Sequence, residues 1–216
     1  MDQGLAVDIA WVGGLLDAYA AEASMRTVAA EHPADSGAPP AMQAGPIDKD
    51  GWVEWRVLPS TLTEEDVDAL EAGFGVRFPR VFRAYLLARL QLFDQVLSRR
   101  HGAEPAVQQV LMTHVPSTDP LGALRSRLQG WKPLIGAGFI PFAEWGDGWG
   151  PICFDSNRRA AGDDDCPLVW LDHEVLHDLE PEQLGDRAAL LPLVQPLHGS
   201  CRDFLADVFS PMRRGR

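Results

Sequence analysis

The stretch Phe139-Ile140-Pro141-Phe142-Ala143-Glu144-Trp145-Gly146-Asp147-Gly148-Trp149-Gly150-Pro151-Ile152-Cys153-Phe154-Asp155 decides the fold. Phe139 to Ala143 and Pro151 to Asp155 are short apolar runs, and the segment between them holds three glycines. Two such runs around a Gly-rich turn predict a β-hairpin. Polar residues Ser156 to Cys166 then lead to a third run, Pro167 to Asp172, so strands occupy the middle of the chain.

Upstream of the hairpin the spacing becomes helical. Thr61 and Glu64 stand at the capping-box spacing, in which each side chain satisfies a free backbone N–H. Val67, Leu70 and Phe74 follow on one face, and Gly73 and Gly75 predict the exit. Phe78-Pro79 opens a second helix, whose stripe of Phe82, Tyr85, Leu86, Leu90, Phe93 and Leu97 predicts a helix running to about Arg100. His101 to Pro105 is a break, Val107 to Val115 a strand, and Asp119-Pro120 another helix start before Leu121, Leu124 and Leu128. Ser200 caps a last helix carrying Phe204, Leu205, Val208 and Phe209. Helices early, strands in the middle and a closing helix predict an α+β domain.

At the N-terminus, Leu5, Ile9, Val12, Leu16, Tyr19 and Ala23 mark an amphipathic helix ending near Ala30. Its apolar face needs a partner. Its own domain is the favoured one and a second copy the alternative. Residues 32–46 hold four prolines and little to bury, which reads as a linker. The expected organisation is therefore a helix plus Pro-rich linker over 1–46 and a domain over 47–216.

The chain has 216 residues and a formal net charge of −12. That sign disfavours nucleic acid and anionic membranes as partners, because phosphate contacts need Lys and Arg. Three cysteines, Cys153, Cys166 and Cys201, make an odd number at no metal-like spacing, which points to a reducing compartment. The first residues lack a basic region before an apolar core, and no apolar stretch is long enough to span a bilayer. The expectation is a cytoplasmic protein.

Four blocks in order resemble the SMI1/KNR4 family, also called the SUKH superfamily. They are Trp55-Arg56-Val57-Leu58-Pro59 with Leu62 to Val67, Leu70-Glu71, Gly75 and Phe78-Pro79; Ile140 to Ala143 with Gly146-Asp147-Gly148 and Cys153-Phe154-Asp155; Pro167 to Glu174; and the Phe204-Leu205 helix. Together they cover residues 50–210; the 1–46 extension lies outside. The resemblance implies a mixed, mainly antiparallel sheet flanked by helices, without catalytic machinery or cofactor. Many bacterial members are similar to immunity proteins that neutralise toxin domains, often nucleases, and others to intracellular scaffolds. A protein partner is the expectation, with the chain itself a monomer or homodimer.

The competing chemistry is His173-Glu174-Val175-Leu176-His177. On a helix, His173 and His177 would share one face and hold Zn²⁺, with Glu174 as general base on the bound water. Against it, Pro167 to Leu171 reads as a strand running up to His173, Pro181 limits the helix, and Asp178 follows the second His directly; the resemblance also implies that Asp172-His173-Glu174 is a strand end. Asp155, Asn157 and Arg159 begin like a calcium loop, but Ala160 stands where glycine is needed. His198-Gly199-Ser200-Cys201 puts a base beside a nucleophile, but Ser200 reads as a cap and Cys201 as buried. For a partner surface, Trp145 and Trp149 around Asp147 offer aromatic anchors, with Asp163, Asp164 and Asp165 as a second acidic loop. The alternative for both tryptophans is to fold back over the sheet edge.

Overall fold

Consecutive side chains of the strand Pro151–Asp155 enter two different cores. Ile152 and Phe154 join one apolar cluster, and Cys153, between them, joins another. Leu168 and Trp170 likewise point to the first cluster, Val169 and Leu171 to the second. This is the two-residue period of a sheet buried on both faces. The structure, a computed structural model, describes residues 2–30, 37–98, 108–146, 148–159 and 164–209.

In chain order the elements are α1 (Gln3–Ala20), β1 (Arg26–Val28), β2 (Trp52–Glu54), β3 (Leu58–Pro59), α2 (Glu64–Phe74), α3 (Arg80–Ala88), β4 (Arg89–Leu90), β5 (Gln95–Ser98) and β6 (Gln108–Leu111). They continue with α4 (Gly122–Gly130), α5 (Lys132–Gly136), β7 (Phe139–Trp145), β8 (Pro151–Asp155), β9 (Leu168–Trp170), α6 (His173–His177), α7 (Pro181–Leu184), α8 (Arg187–Leu190), β10 (Gln195–His198) and α9 (Cys201–Val208). The fold is α+β. A six-stranded sheet has the order β10-β9-β8-β7-β6-β5, and each of its pairings is antiparallel. Short ribbons β1-β2 and β3-β4 lie outside it.

The larger core, with α1, α3 and α9, covers one face of the sheet through Phe82, Phe142, Phe154 and Phe204. The rings of Phe142 and Phe154 stack with centroids 4.0 Å apart. On the other face Leu134 of α5, Leu176 of α6 and Leu190 of α8 meet Phe139, Cys153 and Val169.

Helix α1 is part of this body. Leu5, Val12 and Leu16 are buried in the larger core. Two arginine clamps, one in the first turn of α3 and one directly after its last residue, hold it alongside α3. Arg80 Nε donates to buried Asp8 at 2.7 Å, and its guanidinium fits where a side chain on Gly4 would stand. Nine residues on, Arg89 donates to both carboxylate oxygens of Asp17 (2.9 and 2.7 Å) and lies against Gly13 in the same way. The common spacing shows that α1 and α3 run in the same direction.

Several local expectations shift. α1 ends at Ala20 rather than near Ala30, because Arg26–Val28 pairs with Trp52–Glu54. Of the expected linker, residues 37–46 are not an open spacer. Pro40–Met42 forms a 3-10 turn, and Ala38 and Met42 are fully buried. The capping box falls on Thr63 and Asp66, two residues past Thr61, because Ser60 is spent on a preceding turn: its hydroxyl accepts from Leu62 N and donates to Leu86 O. The exit at Gly75 is left-handed, φ 66°, as its sequence position predicts. α3 stops at Ala88 and not near Arg100. Arg89 becomes extended to pair β4 with β3, and β5 then pairs with β6. The Pro167–Asp172 strand shortens to Leu168–Trp170, and Asp172 caps α6 instead of ending a strand. The His101 to Pro105 break lies outside the described residues.

Candidate functional site

The turn between β7 and β8 sets the first candidate surface. Trp145 N donates to Gly150 O and Trp149 N to Trp145 O, each at 2.9 Å. Gly146 and Gly150 have φ of 61° and 131°. A Cβ on Gly146 would stand 2.6 Å from the Trp149 ring, and one on Gly150 would stand 2.1 Å from Leu171 O. The two glycines therefore let the indole fold onto the turn and the turn close onto the chain after β9. Trp149 remains 49% exposed.

Trp145 behaves differently. It is 1% exposed, its ring tilted against Trp170 in the larger core. Ile140 and Phe142 face the larger core, and a register shift between Pro141 and Ala143 turns Ala143 and Trp145 to that same side, so Trp145 cannot serve as a surface anchor. This corrects the pairing of the two tryptophans. Asp147 and Asp163 lie outside the described residues.

The acidic loop is also somewhere else. In an antiparallel meander, successive connections alternate between the two ends of the strands. The β7–β8 turn stands at the start of β8 and the β8–β9 connection at its other end, about 17 Å away for a five-residue strand. Asp164 and Asp165 thus do not share a surface with Trp149. Asp165 is structural. Its carboxylate accepts from Cys201 N at 2.9 Å and Arg202 N at 3.2 Å, capping α9. The Asp164 carboxylate stands between Arg80 (3.9 Å) and Arg159 (3.8 Å).

What does join Trp149 is α6. His173 N donates to Trp149 O at 2.9 Å, and Asp172 caps the helix by accepting from Glu174 N at 3.0 Å. Glu174, Val175, His177 and Asp178 are exposed beyond it. The predicted His-Glu-x-x-His segment is this single turn. His173 Nδ1 is buried with no hydrogen-bond partner among the described residues, whereas His177 is exposed. Among the described residues no group of three or more His, Cys, Asp or Glu side chains comes together to hold a metal.

The other chemical candidates resolve into structure. Ser200 caps α9 by accepting from Asp203 N at 3.0 Å, and Cys201 is fully buried. All three thiols are free and buried. Burial holds those of Cys153 and Cys201 well above the usual range and pushes Cys166 up to about 12. None is a poised thiolate. Between α2 and the start of α4 runs a groove of about 490 Å³, with Leu62, Leu70, Phe74 and Leu121 along it. Its carboxylates are engaged, Asp66 in the capping box and Asp119 with Arg125 at 3.3 Å.

A buried polar network under β6 and β7 escapes any sequence motif. Tyr85 OH donates to Thr113 O at 2.6 Å and accepts from Gln91 at 2.7 Å. Arg127 donates to Thr113 Oγ1 at 3.1 Å and Phe142 O at 3.2 Å, and it faces Glu144 at 3.5 Å. Beside it, burial holds the His114 imidazole below its ordinary value of 6.5; Asp94 opposes this and Arg127 adds to it. A base depressed on folding binds its proton more readily in the unfolded chain. Its contribution is therefore complete above about 6.5 and is lost as pH falls from there through the folded value. Denaturant midpoints should drop between pH 7 and pH 5 more steeply in the parent than in His114→Gln. Parallel slopes in the two proteins would refute the assignment.

No protein-family model and no curated protein matches this chain. Among the described residues no helix is long and apolar enough to cross a membrane.

Proposed function

We propose that this chain is a non-enzymatic protein-binding domain of the SMI1/KNR4 kind, an immunity protein of the bacterial cytoplasm that neutralises a cognate toxin by stoichiometric binding. The observation that carries the reading is Trp149, a half-exposed indole seated on a glycine-built turn and tied through its carbonyl to α6. A large aromatic held in one place loses little entropy on contact, which is why such residues anchor interfaces. Glu174 and Asp178 lie on the adjoining helix and the turn that follows it, and the chain carries −12 overall. A nuclease toxin presents a basic, phosphate-binding cleft. An acidic partner is steered to such a cleft and occludes it by shape and charge, without a bond being made or broken.

The test is protection of growth and direct titration, with nuclease toxin domains as the probe; a panel that includes any toxin frame found directly upstream and yields no binder would refute the reading. Trp149→Ala should weaken binding by roughly thirtyfold or more while leaving the melting temperature nearly unchanged. Full affinity in that variant would refute the surface. Elemental analysis of the tag-free protein tests the other chemistry. About one zinc per chain, lost in His177→Ala, would replace this reading with a zinc hydrolase using His173, His177 and Glu174.

A further inference from the structure

The ribbon β1-β2 turns one face inward and one outward. Val53 and Trp55 are buried, whereas Arg26, Val28, Trp52 and Glu54 are exposed. In the register Val28 stands opposite Trp52, and Arg26 opposite Glu54. Asp48 turns the chain so that Ile47 lies alongside: its N–H donates to Trp52 O, and its carboxylate accepts from Trp52 N and Asp50 N. Val28, Ile47 and Trp52 are 41%, 52% and 44% exposed. Among the described residues these are three of the seven exposed large apolar side chains, gathered on one ribbon and the turn that leads into it.

The charge around them is unlike the rest of the chain. Segments 25–28 and 47–56 carry Arg26, Lys49 and Arg56 against Asp48, Asp50 and Glu54, so they balance. The whole chain carries −12. Two copies therefore repel over most of their surfaces but not here. Arg26 is ion-paired to Asp48 and lies over the Trp52 ring, which leaves a patch with both signs at its edge. A patch with both signs suits contact about a two-fold axis, where a cation of one copy can face a carboxylate of the other.

We propose that the outer face of the β1-β2 ribbon is the contact between two copies of this chain, a two-fold dimer centred on Trp52, Val28 and Ile47. The patch is small, so the association is weak and concentration-dependent. The inference does not rest on the toxin-binding reading.

Sedimentation velocity on the tag-free full chain, from about 1 to about 500 µM, tests it. The weight-average mass should climb from 23.7 kDa toward twice that value. Trp52→Glu and, separately, Ile47→Lys should raise the midpoint concentration at least tenfold. Leu191→Lys, at an exposed apolar residue elsewhere, should leave it unchanged. Circular dichroism confirms folding; should Trp52→Glu fail to fold, the Ile47 variant on the turn carries the test. A mass of 23.7 kDa at every concentration overturns the proposal. So does a dimer that both ribbon variants leave intact.

Discussion

A chain shortened to residues 47–216 is expected to be unfolded. The deletion removes Leu5, Val12 and Leu16 of α1 and Ala38 and Met42 of the following segment, each at most 4% exposed. The three α1 side chains alone contribute about 5 to 9 kcal/mol by burial. That is comparable to the whole stability of an ordinary domain, about 5–15 kcal/mol. The loss also uncovers the apolar face of α3 and strips Asp8 from Arg80 and Arg202. A scaffold reading, in which the first helix is a detachable docking element, predicts the opposite: a folded remainder. Far-UV circular dichroism with a thermal melt separates the two. A cooperative transition within about 5 °C of the full chain would show that α1 is an appendage.

Arg187→Met should be strongly destabilising although it lies outside the apolar cores. Asp155, at the end of β8, is 1% exposed, and Arg187 donates to its two oxygens at 2.7 and 3.0 Å. The same guanidinium donates to Ala137 O at 3.1 Å and lies over the Phe139 ring at 4.6 Å. Methionine keeps much of the contact with the ring but leaves a buried carboxylate without its counter-ion. Removing one member of a buried pair costs about 3–5 kcal/mol. In a protein of this size that lowers the melting temperature by roughly 6–20 °C. Adding Asp155→Asn should recover most of the loss, because the amide carries no charge to compensate. A single variant within about 1 kcal/mol of the parent, or a double variant no better than the single, would show that solvent already supports Asp155.

Some of this was legible residue by residue. The hairpin over 139–155, the glycine exit at Gly75 and the Ser200 cap depend on neighbours within a few positions, and all three stand as read. The clamps between α1 and the ends of α3 carry a signal in the sequence. Gly4 and Asp8 recur as Gly13 and Asp17, and Arg80 recurs as Arg89, all at nine residues. A small residue four positions before a carboxylate leaves space for an arginine from a neighbouring helix. The separation of Trp149 from the acidic loop also followed from topology, since successive turns of a meander fall at opposite ends. Nothing in the composition of Asp163 to Asp165 distinguished a solvated loop from a helix cap. Asp165 takes that role only because α9 returns to it from 36 residues away.

The sequence by itself determined the class of the fold and the chemistry of its local turns, because capping, glycine exits and two-residue alternation act over a few bonds. It also determined the acidity, which is a sum and needs no geometry. Only the tertiary structure decided where α3 stops, since the stripe from Phe82 to Leu97 suits a helix, and the pairing of Arg89–Leu90 with Leu58–Pro59 overrides it. It alone decided that Trp145 goes inside and Trp149 outside, because burial depends on which strands and helices arrive across the sheet. The same holds for the ribbon face of Trp52, whose exposure follows from its register opposite Val28, a partner brought in by the chain fold rather than by any neighbour in sequence.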